Sequence, residues 1–138
     1  MVVVMRYHKI LLLLLGLVLV SCNDNNIKHQ ASTLEDAITE YNKSLRWSMF
    51  NNLDTYNRSP EGKQLPIDRD AMKNIRITGY EVTEKVINDD ATKAVVKGDI
   101  SYYNNEYGVL KKIPFEQNWW YDTGQKHWFT DSPLPVFK

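Results

Sequence analysis

The stretch IRITGYEVTEKVI, residues 75–87, is where the chain changes its period. Ile75 and Ile77 alternate with polar neighbours, the two-residue repeat of a half-buried strand. After Gly79 the apolar set moves to the other parity, at Tyr80, Val82 and Val86. A parity switch at a glycine predicts a β-bulge, an extra residue that bends the strand. Three more strands follow. DATKAVVKGDISYY (90–103) alternates Ala94, Val96, Ile100 and Tyr102 against Lys93, Lys97, Asp99 and Ser101. YGVLKKIPFEQNWWY (107–121) puts Tyr107, Val109, Ile113, Phe115, Trp119 and Tyr121 on one face, and KHWFT (126–130) is a last short strand. The connectors NDD, NNE and DTGQ are hairpin-like. Pro114 has no N–H to give a ladder, so an edge or a bulge is expected there.

Upstream the period is helical. Leu34, Ala37, Ile38, Tyr41 and Leu45 recur every three or four residues, and Met49, Leu53 and Tyr56 extend the stripe. Ser32-Thr33-Leu34-Glu35 has the spacing of a capping box, so the helix is expected to begin at Ser32. Ser48 is the expected cap of a second helix after a bend. NRSPEGKQLP (57–66) is turn chemistry, and IDRDAMK (67–73) holds one more helical turn. Helices first, then an antiparallel meander of about four strands, predict an α+β domain. The helices are expected to cover the sheet's apolar face.

At the other end, Arg6 and Lys9 precede an unbroken run of apolar residues and Gly16, from Ile10 to Val20. A charged lead followed by a short apolar segment is the layout of a secretory signal. A membrane-spanning helix needs about 20 apolar residues, more than this run supplies. Met5 is an alternative start, because MRYHK alone makes a normal charged lead. Leu19-Val20-Ser21-Cys22 then closely resembles the lipobox of bacterial lipoproteins. The resemblance implies diacylglycerol on the Cys22 thiol, palmitate-type acylation of the new amino group, and removal of residues 1–21. Asn23, not Asp, follows the cysteine. By the same resemblance this favours the outer membrane, facing the periplasm. Cys22 is the single cysteine, so no structural disulfide can form. Residues 22–33 are polar and aperiodic beyond the cysteine and are expected to be a flexible tether. Residues 34–138 then form one domain.

The whole reading resembles the nuclear-transport-factor-2-like, or cystatin-like, α+β roll, in which a curved sheet wraps helices into a cone. The segments YNKSLRW..F (41–50), TGYEV (78–82), WWYD (119–122) and SPLPVF (132–137) are similar to landmarks of small proteobacterial lipoproteins of unassigned function. That resemblance carries no catalytic residues.

The formal charge is +0 and turns slightly negative once Arg6 and Lys9 are removed. No basic run exceeds Lys111-Lys112, which excludes a nucleic-acid binder. His8 lies in the leader, His29 in the tether, and His127 alone on a hairpin, so neither a metal centre nor a Ser-His-Asp site is expected. No Gly-rich phosphate loop is present, and no cofactor is expected. Isomerase-type rolls need an acid in a dry pocket. The strand acids Glu81, Glu84, Asp99 and Glu116 fall mostly opposite the apolar parity, as a solvated face would. Asp54 and Tyr56 are the candidate pocket pair. Adjacent Trp119 and Trp120 must face opposite sides of a strand, so Trp120, with Tyr103, is the candidate binding surface. The expected function is a non-enzymatic binding or assembly module that meets an envelope protein or its own copy. A pocket for a small apolar envelope ligand is the alternative, followed by a small isomerase or dehydratase.

Overall fold

The computed structural model describes the backbone of residues 2–138 and the side chains of residues 24–138. The expected leader at 1–21 and the expected lipidation at Cys22 therefore lie outside the residues whose side chains are described. Helix α1 (Val2–Arg46) is followed by α2 (Phe50–Tyr56) and α3 (Arg69–Met72). Strands β1 (Ile75–Ile87), β2 (Lys93–Asn104), β3 (Lys111–Asp122) and β4 (His127–Thr130) complete the chain. They pair antiparallel in the order β1-β2-β3-β4, so the domain is α+β with an open four-stranded sheet.

The expected start of order at Ser32 is corrected. Residues 24–33, expected as tether, lie inside α1, and the Thr33 hydroxyl donates to the Gln30 carbonyl at 2.9 Å rather than capping a new helix. The physical reason is a distant partner. Trp128 of β4 donates its indole N–H to the Gln30 carbonyl at 3.0 Å and to the Thr33 hydroxyl at 3.3 Å, which fixes this turn on the sheet. Downstream, α1 ends where Ser48 takes φ 54°. The bend is where the sequence placed it, but Met49 rather than Ser48 occupies the N-cap of α2, with no side-chain cap. Asp68 caps α3 by accepting from the Ala71 N–H at 3.0 Å.

The β1 ladder confirms the bulge at Gly79. Ile77 pairs with Tyr102 and Gly79 with Ser101, leaving Thr78 as the extra residue. A second shift between Val82 and Glu84 was not foreseen. It turns Lys85 inward opposite Val96, where its ammonium pairs with Glu35 of α1, and turns Val86 outward opposite Val95. Val82 and Val86, expected on the apolar face, are 40% and 55% exposed. Gly98 lies opposite Val82 at this irregularity. A Cβ there would run into the Glu81 carbonyl and stand 2.8 Å from Phe115 Cε1. Pro114 is tolerated because β4 pairs only with Trp119–Asp122, so β3 has a free side at residue 114. Tyr107 and Val109, expected on the buried parity of β3, lie exposed in the β2–β3 turn.

One core results. Leu34, Ile38, Tyr41 and Leu45 from α1 and Leu53 and Tyr56 from α2 share a buried cluster with Val96, Ile100, Phe115, Trp119 and Trp128. Its centre is aromatic. Tyr41 stands edge-on to Trp119 at 5.6 Å and to Tyr56 at 6.1 Å, geometries that add to simple area burial.

Candidate functional site

On the inner sheet face a polar side chain, Gln117, sits within a row of rings. Gln117 is 2% exposed. It accepts from the Tyr80 hydroxyl at 2.8 Å and from the Trp119 indole N–H at 3.3 Å. Phe115 stacks on Tyr80 at 4.4 Å, so burial drives the Tyr80 hydroxyl far above its ordinary pKa. Tyr41 is 0% exposed, and burial raises its hydroxyl in the same way. The amides of Asn57 and Gln117 lie against that hydroxyl, yet neither it nor Asn57 Nδ2 closes a hydrogen bond among the described residues. The buried polar side chains of the described residues are Ser44, Asn57, Gln117 and Thr130, none of them a carboxylate. Such a row can orient rings; it holds no group that could take a proton at neutral pH.

Asp54 and Tyr56 are not brought together as a pocket pair. Asp54 turns out of the core, accepting from the Ile67 N–H at 2.8 Å and from Arg69 at 2.9 Å. It thus fastens the 57–66 segment and α3 to α2. Tyr56 turns inward, stacking on His127 at 5.2 Å and standing edge-on to Trp119 at 6.2 Å. Burial, followed by the charge of Glu40, raises its hydroxyl. The two side chains diverge because neighbours on the last turn of a short helix face opposite ways around its axis.

Trp120 does lie opposite Trp119, on the outer face, but it is half-buried by its own chain. Its indole N–H donates to the Arg58 carbonyl at 2.8 Å, and its ring leans on Phe129 at 5.0 Å. The 57–66 segment covers part of the expected binding tryptophan, and the rest of Trp120 borders an apolar recess of about 380 Å³ with Pro60, Val86 and Val95. Tyr103 is half-buried opposite Arg76. The outer face beyond them is charged. Lys97 stands 3.7 Å from both Glu84 and Glu116, and Lys112 stands 3.8 Å from Glu81. The strand acids thus form the solvated face read from their parity.

Several recesses open outside the sheet's inner face, and two of them adjoin Gln64. The first is a groove of about 660 Å³ between residues 63–72 and the C-terminal segment 131–137. Leu65, Ile67, Met72, Leu134 and Phe137 give it apolar walls. The C-terminal wall is pinned where Phe137 meets the Tyr102 ring edge-on at 4.9 Å and the Tyr102 hydroxyl bonds the Lys138 carbonyl at 3.0 Å. The second is a shallow polar hollow of about 570 Å³ bordered by Asn51, Asp54, Arg58, Gln125, His127 and Phe129. Arg58 lies 4.7 Å over the Phe129 ring. Burial lowers the His127 pKa from its ordinary value, and the charge of Arg58 lowers it further.

Sequence reasoning missed Gln117, Asn57 and Arg58. Gln117 had a legible signal: it is a polar residue on the apolar parity of Phe115 and Trp119. Arg58 had none, since its contacts depend on where the 57–66 turn lands. Among the described residues no three His, Cys, Asp or Glu side chains converge as metal ligands would, and no helix is long and apolar enough to cross a membrane. No family model, no curated protein and no solved structure matches the chain.

Proposed function

We propose that the chain is a lipoprotein of the bacterial cell envelope, acylated at Cys22, and that its folded part is a non-enzymatic binding module. The fold we assign to that part is a roll, with the helices laid over a sheet that bends at its two bulges. Leu19-Val20-Ser21-Cys22 supports the anchor, and two or three acyl chains hold a protein on a bilayer where one does not. On this reading the domain works on the periplasmic side of the outer membrane and meets an envelope protein there.

One observation carries the binding role. The interior that would house chemistry in an isomerase-type roll is filled: Tyr41, Trp119 and Trp128 are at most 1% exposed. The apolar recess lies outside it, between the 63–72 segment and the 131–137 segment. A convergent acid is what isomerase chemistry requires, and a concave apolar surface is what binding requires. The apolar lining also keeps the second reading in play, a small apolar envelope ligand in the same groove.

Mass spectrometry of the full chain, expressed in a bacterium with a lipoprotein pathway, tests the anchor. The expected product begins at Cys22 and carries acyl mass; an unmodified Cys22 on an intact leader refutes it. A photo-crosslinking residue at Leu65 or Val136 tests the groove, with Glu84 on the charged outer face as control. A discrete protein adduct at the groove positions alone supports the module. A lipid-sized adduct favours the second reading, and labelling no different from Glu84 refutes both.

A further inference from the structure

We propose that the hollow walled by Arg58, His127 and Phe129 is a binding site for an oxyanion, the carboxylate or phosphate group of a ligand. This inference is independent of the lipid anchor and concerns a different recess from the apolar groove. Arg58 is held in place at every level. Its N–H donates to the Thr130 carbonyl at 3.0 Å, and its carbonyl accepts from the Trp120 indole at 2.8 Å. Its guanidinium lies 4.7 Å over Phe129. With the Gln64 amide oriented to satisfy its neighbours, the Gln64 oxygen accepts from Arg58 Nη2 at 2.8 Å. Yet among the described residues no carboxylate comes within 4.0 Å of it. The one acid on the rim, Asp54, is already committed to Arg69 and to the Ile67 N–H.

A half-buried cation with a fixed direction and no counter-charge is costly unless something pairs with it. The planar guanidinium fork matches a carboxylate or a phosphate through two parallel hydrogen bonds. The cation–π contact and the Gln64 bond leave donors of the fork unused, because guanidinium has five. His127 borders the same space, fixed between Tyr56 at 5.2 Å and Phe129 at 4.8 Å. It supplies a second donor.

His127 also reports on the site. The charged and titratable groups around it are Asp122 of β3 directly opposite, its carboxylate taken up by the Gly124 and Gln125 N–H groups, Lys126 beside it in the chain, Arg58 on the 57–66 turn, Asp54 and Tyr56 on α2, and Glu40 of α1 beyond Tyr56. Arg58 disfavours its protonation. An anion seated on Arg58 cancels that repulsion, so binding and protonation of His127 favour each other reciprocally.

The test is an NMR titration of His127 in the full chain, held in uncharged detergent micelles. Sodium sulfate and sodium acetate are compared with sodium chloride at matched ionic strength. Either oxyanion is expected to move the His127 midpoint up saturably, by about one pH unit. Arg58→Gln, which keeps both main-chain bonds of residue 58, is expected to abolish the response, and Arg58→Lys to restore part of it. A parallel arm replaces the salts by vesicles of phosphatidylglycerol or of phosphatidylcholine. A response to the small anions identifies a soluble oxyanion. A response confined to phosphatidylglycerol identifies a lipid headgroup. A midpoint that follows chloride in every arm, or an Arg58→Gln chain that responds like the parent, overturns the proposal.

Discussion

Replacing Gln117 by Leu removes one acceptor that serves two donors. Gln117 is 2% exposed, and its oxygen holds the Tyr80 hydroxyl at 2.8 Å and the Trp119 indole N–H at 3.3 Å. Leucine fits a similar volume but accepts nothing, so both donors are left buried and unpaired. Each orphaned group costs about 1–3 kcal/mol. The two together cost about 2–6 kcal/mol, partly offset by the added apolar contact. With a urea slope of about 1–3 kcal/mol/M, the unfolding midpoint is expected to fall by about 1 M or more at unchanged slope. The second substitution in the cycle is Tyr80→Phe, which deletes one orphaned donor. In the Gln117→Leu background it is expected to return about 1 kcal/mol or more, whereas alone it costs stability. A Gln117→Leu chain within about 0.5 kcal/mol of the parent, or no recovery from Tyr80→Phe, refutes the buried-acceptor argument. The urea curve of each variant, read by tryptophan fluorescence and by circular dichroism, decides it.

Two further outcomes follow from the same core and sheet. Gly98→Ala drives a methyl into the Glu81 carbonyl and against Phe115; overpacking of this kind costs about 1–3 kcal/mol, seen as a drop in melting temperature of about 4 °C or more. Tyr41→Phe deletes a hydroxyl that has no partner among the described residues, so stability at neutral pH is expected to hold or rise. Burial raises the Tyr41 pKa in the folded state only, so above pH about 10 the unfolded chain binds fewer protons and stability falls as pH rises, by about 1.4 kcal/mol per pH unit for this group. The Phe variant is expected to flatten that fall in urea midpoints taken between pH 9 and pH 12.

The fold was legible wherever a local pattern carried it. The Gly79 bulge was readable because the apolar parity changes within β1 itself. The second bulge was not, because Val82 and Val86 keep one parity in the sequence while the extra residue between them turns Val86 outward. The capping box at Ser32 is a true local signal that lost to a contact 98 residues away, the Trp128 bond to Gln30. Trp120 was correctly assigned to the face opposite Trp119, but its cover comes from Arg58, 62 residues distant. The candidate site fared worse than the fold for the same reason. Asp54 and Tyr56 sit close in sequence, yet helix geometry sends them to different layers, while the groups that share a recess come from α2, a turn and a hairpin.

What unites the two recesses is that turn. Arg58 is bonded to Thr130 through its main chain, and the Leu65 N–H closes back on the Asn57 carbonyl at 3.0 Å, so the 57–66 segment is a fixed part of the sheet's edge. Asn57 puts its side chain in the core, Arg58 borders the polar hollow and Leu65 lines the apolar groove. Gln64 borders both recesses, and its amide satisfies Arg58 on one side and the Asn57 and Asp54 carbonyls on the other. Sites precise enough to select a ligand need their side chains locked by neighbours. Here Asn57 of the turn enters the aromatic core beside Tyr41, so the packing that fills the interior also holds the walls of both recesses in place.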